Sequence, residues 1–107
     1  MKLDVLERVL LGDILATHKD NFATLKLVRE ARESLSFNEI ELESLEFKVI
    51  GKDVQWDPKA AMEIGEVDID INDTVMEIAR KGILDLNNRA LLSEQHISLF
   101  EKIVGTV

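Results

Sequence analysis

The chain of 107 residues has no cysteine and no tyrosine, and it has only one proline, one tryptophan and five glycines. Without cysteine, disulfides, thiolate metal sites and thiol catalysis are excluded. No window of eighteen apolar residues is present, and Glu7, Arg8 and Asp13 interrupt the apolar N-terminal segment. The sequence therefore predicts neither a signal peptide nor a membrane helix, and we expect a soluble cytoplasmic protein.

The composition is that of a globular protein, with 46% hydrophobic and 32% charged residues. A disordered chain would be poorer in leucine, isoleucine and valine. The length is typical of one domain around one hydrophobic core, so we expect residues 1–107 to form a single domain.

Negative charge is concentrated in the middle of the chain. The net charge is −8, but residues 33–77 carry −10, while residues 1–32 and 78–107 carry +1 each. An acidic surface repels nucleic-acid phosphates and favours basic partners. The alternative is that the charge only keeps a small domain soluble.

Helical periodicity dominates the first 35 residues. Leu3, Leu6 and Leu10 predict a helix from Lys2 to Leu11, which Gly12 would end. After a polar connection, Asp20 or Asn21 can cap a second helix. Its apolar positions have the spacing of one helical face: Phe22, Leu25, Val28, Ala31 and Leu35. The short connection predicts an antiparallel helical hairpin.

The middle of the chain changes from helical to strand periodicity. Ser36 and Glu39 fit a capping box for a short third helix to about Ser44, with Ile40 and either Leu42 or Leu45 turned inward. A β-hairpin follows, with its turn at Gly51, and Asp57-Pro58 ends the second strand. We expect four side chains on one sheet face to pack on the helices: Phe47, Val49, Val54 and Trp56.

Residues 66–71 alternate like a third strand, which either joins the hairpin or remains apart. Asn72 or Asp73 would then cap a helix to about Leu86, with Asn87-Asn88 as a turn and Ser93 capping a last helix. In that last helix we expect Ile97, Phe100, Ile103 and Val104 to point inward. The predicted class is α+β: an N-terminal helical hairpin, a central β-hairpin and two C-terminal helices.

The string from Asp68 to Asp73 matches the start of a calcium-binding EF-hand loop. The match fails at its strict positions, because the sixth residue is Asp73 instead of glycine and the twelfth is Ala79 instead of glutamate. A solvent-facing strand edge explains the alternating isoleucines without a metal. We expect no metal site.

No pattern of catalytic residues stands out. Gly-x-Ser-x-Gly and Gly-x-Gly-x-x-Gly are both missing, and His18 and His96 have no convincing partners in the sequence. Both histidines are typical of surface or helix-cap positions. We therefore expect no enzyme activity and no cofactor.

Binding to nucleic acid is also disfavoured. Lys26, Arg29 and Arg32 flank the apolar stripe of the second helix, but long cationic side chains beside such a stripe usually cover it. Residues 72–104 have a helix–turn–helix pattern, but its second helix carries only one clearly basic residue, Lys102. The negative charges of Glu94 and Glu101 counteract that positive charge, which disfavours contact with phosphates.

An interaction with another protein remains the favoured hypothesis. Candidate interaction residues come from the acidic segment and from the single tryptophan: Trp56, Glu66, Asp68, Asp70 and Asp73. The other reading of Trp56 is a core residue of its strand. The other function class is a structural subunit that forms a homo-oligomer through exposed apolar surface.

Three stretches carry a family resemblance. Leu10-Leu11-Gly12-Asp13-Ile14-Leu15, then the run from Asn21 to Arg29, and the closing run from Leu92 to Lys102 resemble small uncharacterised proteins of bacteriophages and prophages. The resemblance implies a phage origin. It implies no activity, and it assigns no catalytic residue.

Overall fold

Helices and short strands alternate along residues 1–105, the part of the chain that the computed structural model describes. Six α-helices and four strands lie in these residues, and they confirm the α+β class. Their bounds are β1 Lys2–Leu3, α1 Val5–Ala16, α2 Phe22–Leu35, α3 Glu39–Leu45, β2 Lys48–Ile50, β3 Asp53–Gln55, α4 Pro58–Ile64, β4 Val67–Asp68, α5 Asp73–Asn88 and α6 Ile97–Ile103. No helix of this part is long and apolar enough to cross a bilayer.

Helix α1 is the centre of the main core. It packs against α2, α5 and α6, and nearly every turn of it carries a buried leucine. A helix that is apolar on most sides must be covered on most sides, which explains its three helical neighbours. The buried members of this main core are Leu3, Leu10, Leu11, Leu15, Val28, Ala31, Leu35, Ile69, Val75, Ala79, Ile83 and Leu99.

A second apolar cluster lies at the other end of α1. Its buried members are Val5, Leu45 and Ala60, so that α1, α3 and α4 meet there. Half-buried side chains complete it: Phe37, Phe47, Trp56, Ala61 and Ile64. We call this group the second cluster. It holds the base of the β-hairpin, because the Asp57 N–H donates to the Leu45 carbonyl over 2.8 Å.

The four strands form two separate antiparallel pairs. In the hairpin, Val49 lies opposite Val54. Strand β4 does not join the hairpin, because it pairs with β1 instead, with Leu3 opposite Val67. Of the strand predicted over residues 66–71, only the two residues of β4 form a strand. They pair with the N-terminal strand β1.

The predicted helix from Lys2 to Leu11 is wrong at both ends. Lys2 and Leu3 are a strand, and Asp4 caps a helix that begins at Val5 and continues through Gly12 to Ala16. Glycine ends a helix when it adopts a positive φ just after the last helical residue. Gly12 does not have a positive φ. Burial of Leu15 in the main core favours the longer helix.

The middle helices also differ from the prediction. Asn38 caps α3, in place of Ser36, and its capping box closes with Glu41. Leu45 points inward, whereas the side chain of Ile40 is 77% exposed. Asp57 and Pro58 end the strand as predicted, but they also begin α4, which the sequence reading missed.

Some apolar side chains that were expected in the core lie at the surface. Val49 and Val54 project beyond the second cluster, and Phe22, Leu25 and Ile97 are exposed on their helices. Residues Asn87 and Asn88 belong to α5 instead of forming a turn. Ser93 precedes a 3₁₀ turn at Glu94–His96, which leads into α6.

Candidate functional site

A small groove with two carboxylates lies where α2 meets the segment before α5. Glu30 of α2 and Asp70 line it together with Leu27 and Ala31, and its volume is about 150 Å³. Ser34 and Asn72 complete its lining. We call this site the acidic groove. Its volume is below the roughly 300–1,000 Å³ of sites for drug-sized ligands, so it fits a single side chain.

The backbone around Ile69 places Asp70 at the groove. The side chain of Ile69 is buried in the main core, and its N–H donates to the Met1 carbonyl over 2.8 Å. Alternation along the extended chain then turns Asp70 outward. Two residues later, Asn72 caps α5 by accepting from the Thr74 N–H.

The position of Glu30 follows from the buried face of α2. Val28, Ala31 and Leu35 face the main core with helical spacing, so Glu30 lies on the flank of the helix beside the α5 junction. Neither Glu30 nor Asp70 forms an ion pair with another side chain of residues 1–105. Asp73, exposed in the first turn of α5, is likewise without a cationic partner in this part of the chain.

The other two predicted acidic residues are engaged within the molecule. The Lys102 ammonium donates to Glu66, and this hydrogen bond holds the pKa of the Glu66 carboxyl below its usual value. The amino group of Met1 lies 3.1 Å from Asp68 Oδ1. Of the four acidic candidates, Asp70 and Asp73 are therefore the ones that form no ion pair within residues 1–105.

Trp56 lies apart from these carboxylates, in the second cluster. Its ring is 5.8 Å from that of Phe47, which is in turn 5.2 Å from Phe37. It also lines a shallow groove with Glu46, Lys48, Gln55 and Asp57. The side chain thus contributes to packing at the hairpin base, and part of it reaches the surface.

Arg8 is a buried charge that the sequence reading missed. Only 4% exposed, its guanidinium donates to the carbonyls of Leu35 and Ser36 and to both carboxylate oxygens of Glu41. The guanidinium carbon also lies 4.0 Å from the ring centre of Phe37. The hydrogen bond from Arg8 lowers the pKa of Glu41, although partial burial opposes the shift. The arrangement fastens α1 to the α2–α3 connection.

Glu7 and Lys102 form a second internal ion pair. The ammonium of Lys102 lies 2.7 Å from Glu7 Oε1 and also donates to the Lys2 carbonyl. Desolvation lowers the pKa of Lys102, but the hydrogen bonds to Glu66 and Glu7 outweigh it and leave the pKa above its ordinary value. One feature of the sequence could have indicated these ion pairs. Helix α1 is apolar on most sides, so charged residues within it need partners inside the protein.

The histidines have local roles. His18 Nε2 lies 2.9 Å from Asp20, and the pKa of Asp20 is lowered, first by the Asn21 N–H and then by His18. His96 Nδ1 accepts from the Ser93 N–H at the start of the 3₁₀ turn. Within residues 1–105, no group of three or more histidine, aspartate or glutamate side chains is placed to hold a metal ion.

Comparisons with protein-family models, curated proteins and solved structures find no match to this chain. The resemblance to small bacteriophage and prophage proteins stays a prediction.

Proposed function

We propose that the protein is a small acidic interaction domain that binds a basic segment of another protein at the acidic groove. One observation carries this proposal. Glu30 and Asp70 come from different elements, line the same groove, and form no ion pair with a cationic side chain of residues 1–105. Two other carboxylates, those of Glu41 and Glu66, pair with cations of the protein itself.

The groove suits a lysine or arginine side chain. Leu27 and Ala31 can contact the aliphatic stem, while Glu30 and Asp70 bind the charged end. A guanidinium or ammonium bound in this way keeps its hydrogen bonds, because both carboxylates accept. The net charge of −8 would attract such a segment from a distance and raise its association rate.

A paired-charge experiment tests this proposal. The partner is captured from an extract of the cells that make the protein, purified, and titrated against wild type at low and high salt. We expect Glu30→Gln/Asp70→Asn to weaken binding about 2- to 30-fold, since two exposed charge contacts are lost. The wild-type affinity should also fall as salt is raised.

The matched control is Glu43→Gln/Glu63→Gln, which removes two exposed carboxylates from α3 and α4 and changes the net charge equally. This variant should retain most of the affinity. Equal loss in both variants would mean that only the overall charge matters. An unchanged affinity in the groove variant would contradict the proposal.

A further inference from the structure

A groove runs along the surface where α1 packs against α5. It consists of two cavities of about 470 Å³ each, and Ile14, Thr17 and Gly82 line both of them. Each cavity is within the range of roughly 300–1,000 Å³ that small-molecule sites occupy. We propose that this α1–α5 groove binds an ω-amino carboxylate. Such a molecule has an ammonium group at one end of a hydrocarbon chain and a carboxylate at the other.

The two helices lie close together at the middle of the groove because Gly82 has no side chain. A Cβ atom there would lie 2.7 Å from Cγ2 of Ile14. Leu10 and Leu86 add apolar surface to one cavity, and Ile78 adds it to the other. A hydrocarbon chain that contacts these side chains is removed from water, which favours its binding.

The cavities extend from the shared residues in opposite directions. One reaches Leu10 of α1 and Arg89 of α5, and we call it the first end. The other reaches Asp20, just after α1, and Ile78 of α5, and we call it the second end. The two helices therefore run antiparallel along the groove, so that a ligand lying in it contacts both ends.

Negative charge prevails at the first end. Asp13 and Asp85 line it, and both side chains are exposed. Asp85 pairs with Arg89 over 3.5 Å, whereas Asp13 forms no ion pair within residues 1–105. With histidine counted as neutral, the charges of this end sum to −1. An ammonium group bound here can pair with the Asp13 carboxylate.

Positive charge prevails at the second end. Lys19, in the connection after α1, and Lys81 of α5 line it, and neither forms an ion pair within residues 1–105. The nearby carboxylate of Asp20 is engaged by His18 and by the Asn21 N–H. This end sums to +1, again with neutral histidine, so it attracts a carboxylate although the whole protein carries −8.

The separation of the two ends selects the length of the ligand. Lys81 and Asp85 are four residues apart on α5, which corresponds to a rise of about 6 Å. In 6-aminohexanoate, six bonds separate the nitrogen from the carboxyl carbon and span roughly 7 Å when extended. Its isomer norleucine carries both charges at one end of the chain, so it cannot pair with both ends of the groove.

NMR titrations of the ¹⁵N-labelled protein test the proposal, with the amides of Thr17 and Gly82 as reporters of both cavities. 6-Aminohexanoate should bind with a Kd of about 1–30 mM, as expected for a ligand of about nine non-hydrogen atoms. Norleucine, hexylamine and hexanoate should each bind about 2- to 5-fold more weakly, because each loses one exposed charge contact.

Two charge variants assign the ends of the ligand to the ends of the groove. Asp13→Asn should weaken 6-aminohexanoate and hexylamine about 2- to 5-fold but should not weaken hexanoate. Lys81→Gln should weaken 6-aminohexanoate and hexanoate by the same factor but should not weaken hexylamine. Glu43→Gln and Lys59→Gln, at exposed positions outside the groove, are the matched controls and should leave every Kd unchanged.

Three results would overturn the proposal. They are an absence of shifts at Thr17 and Gly82, equal affinity for norleucine and 6-aminohexanoate, and a variant that weakens hexylamine and hexanoate alike. The α1–α5 groove shares no lining residue with the acidic groove. Glu30→Gln/Asp70→Asn should therefore leave the Kd of 6-aminohexanoate unchanged, which separates this result from the proposed function.

Discussion

Gly82 lies inside α5, where glycine ordinarily costs about 1 kcal/mol relative to alanine. Here a Cβ atom would lie 2.7 Å from Cγ2 of Ile14, so the missing side chain lets α5 approach α1. We expect Gly82→Ala to lower the free energy of unfolding by about 1–3 kcal/mol, because overpacking outweighs the better helix propensity. Urea denaturation followed by circular dichroism measures it.

Gly12 supplies the control for this substitution. It also lies inside a helix, but a Cβ atom there meets nothing within 4 Å. Gly12→Ala should stabilise the protein by up to about 1 kcal/mol. Ile14→Ala combined with Gly82→Ala should cost less than the sum of the two single changes. If Gly82→Ala stabilised the protein as Gly12→Ala does, the close contact would be wrong.

The start of α3 depends on one cap. Asn38 Oδ1 accepts from the Glu41 N–H over 2.8 Å, and the Glu41 carboxylate returns to the Asn38 N–H. Asn38→Ala should therefore lower the free energy of unfolding by about 1 kcal/mol in urea denaturation. Ser36→Ala is the comparison, because the Ser36 hydroxyl donates only to the Glu33 carbonyl and its loss should cost less. If Ser36→Ala cost more than Asn38→Ala, the N-cap of α3 would be Ser36, as the sequence predicts.

At the scale of elements, local sequence patterns predicted the helices and strands correctly where tertiary packing favoured the same structure. Helix α2, most of α5 and the hairpin follow from apolar spacing and turn residues. The strand Lys2–Leu3 could not be predicted, because it depends on a partner more than sixty residues away. Asp57-Pro58 was ambiguous, since the same pair ends a strand and supplies an N-cap with proline at N1.

The candidate site shows the same limit. Acidic residues can be counted in a sequence, but the ones that remain unpaired depend on where the cations fall. Lys102, remote in sequence, engages Glu66, while Glu30, outside the acidic segment, joins Asp70 in one groove. The residues of the acidic groove therefore differ from the predicted site residues because of tertiary packing, which adds Glu30 and excludes Glu66.

Across the whole molecule, paired carboxylates link stability to pH. The pKa values of Glu41 and Glu66 are lower in the folded state because Arg8 and Lys102 hydrogen-bond to them. A lowered pKa adds stability that is fully present above the unfolded value, near 4.5 for glutamate, and is lost as the pH falls through the folded value. Acid should therefore weaken the junction of α1 with the α2–α3 connection.

Glu41→Gln tests this linkage. At pH 7 it should cost about 2 kcal/mol, because buried Arg8 loses its charged acceptor. The difference from wild type should shrink as the pH falls from 4.5 through the lower pKa of the folded state, below which the wild-type carboxyl is also neutral. Urea denaturation at pH 7, 5, 4 and 3 measures it, with Glu43→Gln as the exposed control on the same helix. A difference that did not vary with pH would contradict the role of the ion pair.

Trp56 makes the second cluster optically distinct from the main core. The chain has no other tryptophan and no tyrosine, so its near-ultraviolet fluorescence comes almost entirely from the hairpin base, whereas circular dichroism is dominated by the helices around α1. Coincident unfolding curves from the two signals would show that the clusters melt as one cooperative unit. A fluorescence transition at lower denaturant concentration than that of circular dichroism would identify the hairpin, α3 and α4 as a separate cooperative unit that unfolds first.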